Sequence, residues 1–149
     1  MYDDILLPTD GTESMDDVYR HTLDLAHRHD ATVHVLYVVD DRAFLTLAPD
    51  LVDDVVDELE GEGNEATAAA RAKLDDEVAT KAVLRRGDPA EEILAYIEEA
   101  GIDVVTMGTH GANYRQNMVG SVSARVVANA TVPVLTVNVN GDASDADNE

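Results

Sequence analysis

The chain has 149 residues, enough for one domain, and 45 % of them are apolar, enough for a proper core and too many for a disordered chain. Its 31 acidic residues against 10 basic ones give a net charge of −21, a field that repels nucleic acid and anionic membranes. With no cysteine, no apolar run near the ~18 residues of a membrane span and no basic stretch ahead of Ile5 to suggest a leader, the composition points to a soluble cytoplasmic protein without disulfides or thiolate metal sites.

Tyr2 to Pro8 reads as a short buried strand, with Ile5, Leu6 and Leu7 continuous. Thr9 to Thr12 is a turn. Glu13 to His29 follows as a helix, with Met15, Val18, Leu23, Leu25 and Ala26 apolar. Ala31 to Val39 is a strand and Asp40 to Pro49 a loop. Val52, Val55, Val56, Leu59, Ala66, Ala70 and Leu74 hold helical spacing across Gly61 and Gly63, so one long helix is expected, tolerating each glycine at ~1 kcal/mol. Val78 to Arg85 alternates and carries Lys81 on one side, the mark of an edge strand.

Asp88, Pro89 and Glu91 stand at the N-cap, N1 and N3 positions of a helix that runs to about Ala100. Val104 to Met107 is a buried strand, Gly108 to Val119 a loop, Ser121 to Asn129 a helix and Pro133 to Val139 the last strand. One domain over residues 1–140 and a disordered acidic tail over 141–149 are expected. Alternation of strands with long helices implies an α/β fold with a parallel sheet and helices on both faces. Ligands of such sheets bind beyond the carboxyl ends of the strands, at the switch point.

The acids are spread over several helices, which favours a solvated surface adapted to a salt-rich cytoplasm over a docking face for a basic partner. They are absent from Val104 to Gly141, where about eight would fall at the chain's average density. That window holds His110, Arg115 and Arg125, and it is either buried or meets something that acid would repel.

Within it, Gly108-Thr109-His110-Gly111 leads to Gly120-Ser121-Val122-Ser123 at the start of a helix. Glycines let backbone N–H groups approach a ligand, a helix N-terminus attracts anions, and Ser121 and Ser123 add hydroxyls. The same residues also suit an ordinary turn with Ser121 as N-cap; the missing acid tips the balance towards an anion site. After the first strand, Asp10 could accept from ribose hydroxyls, although taken alone it reads better as an Asx-turn or cap for the first helix. No P-loop or G-x-G-x-x-G pattern is present. His21, His27, His29 and His34 have no metal-binding spacing, and His110 suits a phosphate loop better than catalysis.

Five segments together make the chain resemble the universal stress proteins over residues 2 to 139: I-L-L-P-T-D-G from Ile5, V-L-Y-V-V-D from Val35, G-D-P-A-E-E-I-L from Gly87, V-V-T-M-G-T-H-G…G-S-V-S-A-R-V from Val104 to Val126, and V-P-V-L-T-V from Val132. The resemblance implies five parallel strands in the order 3-2-1-4-5, with Asp10 and Gly108 side by side where the order reverses. It further implies an ATP or ADP site, with Mg²⁺ possible on the phosphates. Pro8, Thr9 and Asp10 would line adenine and ribose, and Val38 would touch adenine. Met107, Gly108 and Gly111 would follow ribose and phosphates, with His110 in the same loop, and Gly120, Ser121, Val122 and Ser123 would hold phosphates.

One departure from the family pattern is the loop Ala112 to Val119, eight residues where the ATP-binding pattern has nine, with Ala112 where a basic residue often stands. Either the triphosphate is held less well or the surface excursion is simply shorter. The uncharged last strand, Pro133 to Val139, would be an aggregation-prone edge unless covered, and a homodimer through it is expected. The leading reading is a nucleotide-binding stress-response regulator or scaffold that is not an enzyme. Its rivals are a universal stress protein without ATP, acting through protein contacts alone, and an ATP-using enzyme such as an adenylating ligase, for which a second domain is missing. A phosphoreceiver is a poor fit, lacking its aspartate at the end of the third strand and its lysine after the fifth.

Overall fold

The computed structural model describes residues 1–11, 15–41, 46–74, 78–109 and 121–138. Strand β1 (Asp4–Pro8) leads to helix α1 (Asp16–His29), β2 (Thr32–Asp40), α2 (Pro49–Lys73), β3 (Thr80–Gly87), α3 (Pro89–Ala100), β4 (Val104–Gly108), α4 (Ser121–Asn129) and β5 (Val134–Val137). The strands are all parallel and stand in the order β3-β2-β1-β4-β5. The expected α/β architecture is therefore present, with the order reversing between β1 and β4. The tail from residue 141 lies outside the described residues.

Strand pleat sorts the core into two. Ile5, Leu7, Val33, Val35 and Val104 face α1 and α2, where Val18, Tyr19, Ala26 and Ala70 meet them. Leu6, Leu36, Val105 and Met107 face the other way, against Ile93, Tyr96 and Ile97 of α3 and Val126 of α4. Continuous apolar runs are what a strand covered on both faces requires. Each fully buried Leu or Ile here is worth ~1.5–3 kcal/mol. One polar pair inside, Thr22 and Thr106, is satisfied: Thr22 donates to the Val18 carbonyl at 2.7 Å, so the Thr106 hydroxyl donates to Thr22 Oγ1 at 2.7 Å.

Several boundaries moved. β1 starts at Asp4 and not Tyr2, β2 runs Thr32–Asp40 and not Ala31–Val39, β3 runs Thr80–Gly87 and not Val78–Arg85, β4 ends at Gly108 and not Met107, and β5 starts at Val134 and not Pro133. β3 is an edge strand as expected, and Arg85 ties it to α3 through Glu92 (3.0 Å) and both oxygens of Glu99 (2.9 and 3.1 Å). The α3 start is as read: Asp88 accepts the Glu91 N–H at 3.0 Å and Pro89 opens the helix. The long helix across both glycines is present as well, 25 residues in one piece.

Candidate functional site

At the carboxyl end of β1 the chain stays bound to its neighbour one residue beyond the strand: the Thr9 N–H donates to the Leu36 carbonyl at 2.9 Å. The Thr9 side chain turns inward, where Oγ1 accepts the Gly11 N–H at 3.1 Å and lies 3.1 Å from the Tyr19 hydroxyl of α1. Gly11 has φ +82°, and a Cβ there would stand 2.8 Å from the Ala66 Cβ of α2. The turn thus needs glycine twice over, for its conformation and for space. The turn hydrogen bond comes from Thr9, and α1 begins after Met15 with no side-chain cap. Thr9 therefore contributes a turn hydrogen bond that the sequence pattern does not announce, while the residues that Asp10 could cap, 12–14, lie outside the described residues and its carboxylate is exposed. That charge acts on two phenols. Burial raises Tyr19 above its ordinary pKa, the Thr9 bond opposes this, and Asp10 and Asp16 add to it. Tyr37 is raised by burial, then by Glu62 and Asp10.

On the opposite face of the sheet, Val38 and Val122 pack against the cluster that contains buried Met107 and Leu36. β2, β4 and the first turn of α4 therefore contribute to one apolar cluster. β4 and β5 are parallel, so α4 must run back against them and its N-terminus points to that same edge. Thr109 holds the exit of β4 by donating its N–H to the Val137 carbonyl at 3.0 Å. No acid occupies the first turn of α4, and Ser123 is buried there. Such a terminus offers unbonded N–H groups and roughly half a positive charge to an anion. Among the described residues, no three His, Asp or Glu side chains gather to hold a metal ion.

The sequence pattern of the universal stress protein family matches residues 1–138. The chain belongs to that family. A universal stress protein of Methanothermobacter thermautotrophicus is 43 % identical over 132 residues, covering 85 % of this chain and 89 % of the relative. The solved structure of MJ0577 from Methanocaldococcus jannaschii superposes with a TM-score of 0.83 at 28 % identity, over 94 % of this chain and 98 % of the other. A universal stress protein structure from Arabidopsis thaliana, with AMP bound, shares the fold with a TM-score of 0.70 at 19 % identity, over 95 % and 94 % of the two chains.

In this universal stress protein, Pro8, Thr9 and Asp10 end β1, Val38 lies near the end of β2, and Met107 and Gly108 close β4. Ser121, Val122 and Ser123 open α4. The topology brings all of these to one edge of the sheet. His110, Gly111 and Gly120 lie outside the described residues. Two residues that hold the elements around this edge were not singled out in the sequence. Tyr19 shares a face with Met15, Thr22 and Ala26, a spacing that could have revealed it; Leu23 and Leu25, read as core, are only partly buried. Arg125, noted only as a positive charge, bonds to Asp88 at 3.1 Å and so ties α4 to the cap of α3.

Proposed function

We propose that this universal stress protein binds ATP or ADP at the carboxyl edge between β1 and β4, as a regulatory or scaffold module and not as an enzyme. The observation that carries the reading is that Val38, Met107 and Val122, from β2, β4 and α4, belong to one apolar cluster at the sheet edge to which the acid-free N-terminus of α4 points. The residues present suit the ligand: an apolar wall for a base, a carboxylate at Asp10 for ribose hydroxyls, and Ser121, Ser123 and helix N–H groups for phosphates. His110, Gly111 and Gly120 complete the set on sequence grounds. Mg²⁺, if bound, would be carried by the phosphates. The AMP held by the Arabidopsis relative supports the class of ligand.

Calorimetry in molar KCl tests this. ATP and ADP bind, and Asp10→Ala and Gly120→Val each weaken binding about tenfold or more, the scale of losing a hydrogen bond to a charged group. Absence of binding at millimolar ATP would leave protein contacts alone as the mode of action.

The same reading extends to a homodimer through β5. Burial accounts for the lack of acid in β4 but not in α4 and β5, where Ala124, Val127, Ala128, Leu135 and Thr136 are exposed and uncharged. Pairing β5 across a two-fold axis would cover this surface. Light scattering at high salt and micromolar protein should give twice the chain mass. The acidic exterior suits a cytoplasmic protein of a salt-rich cell, whose fold salt would strengthen.

A further inference from the structure

Asp10 sits between two residues that are each fixed from outside the turn. Thr9 is held by β2 through its N–H (2.9 Å to the Leu36 carbonyl) and by α1 through Tyr19. Gly11 is held by its N–H on Thr9 Oγ1, and by the left-handed φ that brings it against Ala66 of α2. Thr9 Oγ1 and the Tyr19 hydroxyl share one hydrogen bond, and the same oxygen accepts from the Gly11 N–H. The Tyr19 ring is buried in the α1–α2 core, so its hydroxyl has a defined position from which to hold the turn.

We propose that Tyr19 is a positioning residue for nucleotide recognition: its hydroxyl, through Thr9 Oγ1, sets the turn that presents the Asp10 carboxylate to the ribose. The inference rests on the nucleotide reading above and adds to it a residue of α1 that touches no ligand.

The experiment compares ATP with 2′,3′-dideoxy-ATP by calorimetry in molar KCl. The wild type prefers ATP by about tenfold or more, the scale of a hydrogen bond to a charged group. Tyr19→Phe keeps the ring in the core and removes only the hydroxyl. Its preference falls about threefold or more, while dideoxy-ATP affinity stays within about twofold of wild type. Thr9→Val removes that bond together with the Gly11 N–H bond to the same oxygen, so its preference falls at least as far, and adding Tyr19→Phe to it causes no further fall. A Tyr19→Phe protein with wild-type preference overturns the inference, as does a parallel loss of both affinities, which would mark a packing role. A wild type that binds both nucleotides equally overturns it too, yet leaves nucleotide binding standing. A wild type that binds neither removes the nucleotide reading and this inference together.

Discussion

The Nδ1 of His34 lies 2.7 Å from the Tyr96 hydroxyl, which links the middle of β2 to α3 inside the protein. The other ring nitrogen, Nε2, is 2.9 Å from Asp4 Oδ1 at the start of β1. A carboxylate only accepts, so Nε2 carries a hydrogen, and Nδ1 shares the second bond with the Tyr96 hydroxyl. Tyr96→Phe would leave that buried nitrogen without a partner. The expected loss is ~1–3 kcal/mol, read as a melting temperature lower by several degrees. An unchanged melting temperature would show that the pair contributes nothing net.

Gly61 and Gly63 look alike in sequence and differ in the fold. A Cβ at Gly61 meets nothing within 4 Å, so Gly61→Ala should stabilise by ~0.5–1 kcal/mol through helix propensity alone. A Cβ at Gly63 would stand 2.5 Å from Leu84 Cδ1 and 2.7 Å from Tyr37 Cδ1. Leu84 can swing aside more easily than the Tyr37 ring, so Gly63→Ala should destabilise by ~1–3 kcal/mol. Urea melts of the two variants, moving in opposite directions, check this.

Alkaline pH should weaken the fold. Tyr19, Tyr37 and Tyr96 are all raised above the ordinary tyrosine value of about 10, burial being the first cause in each. In the unfolded chain they lose protons from about pH 10, while in the folded protein they hold them longer. Stability is therefore intact below about pH 10 and falls as pH rises beyond it. Urea melts at pH 9 and 11 should show the fall, and a smaller one in Tyr37→Phe.

Salt should strengthen the fold. A net charge of −21 repels itself in the compact state, and the screening length shrinks from ~10 Å at 0.1 M to ~3 Å at 1 M. The melting temperature should rise between those conditions. A flat or falling one would mean that the acids are compensated locally, as Asp17 is by Arg20 at 2.6 Å and Asp24 by Arg28 at 2.8 Å.

The sequence by itself determined every element whose signal is local. Asp88, Pro89 and Glu91 announce α3 because a cap and a proline act within one turn. Ile5, Leu6 and Leu7 announce a doubly covered strand because burial on both faces leaves no polar position. The Val104–Val126 glycine pattern placed β4 and the start of α4, and with them most of the candidate site. Only the tertiary structure decided what depends on residues far apart in the chain. Thr9 contributes to the turn after β1 because a tyrosine ten residues on and an alanine in α2 close around it. His34 finds Tyr96 across 62 residues, and Gly63 differs from Gly61 because Tyr37 and Leu84 of neighbouring strands stand over one and not the other. Propensity and periodicity describe a residue's own segment; which side chain fills the space beside it is set when the sheet and helices pack.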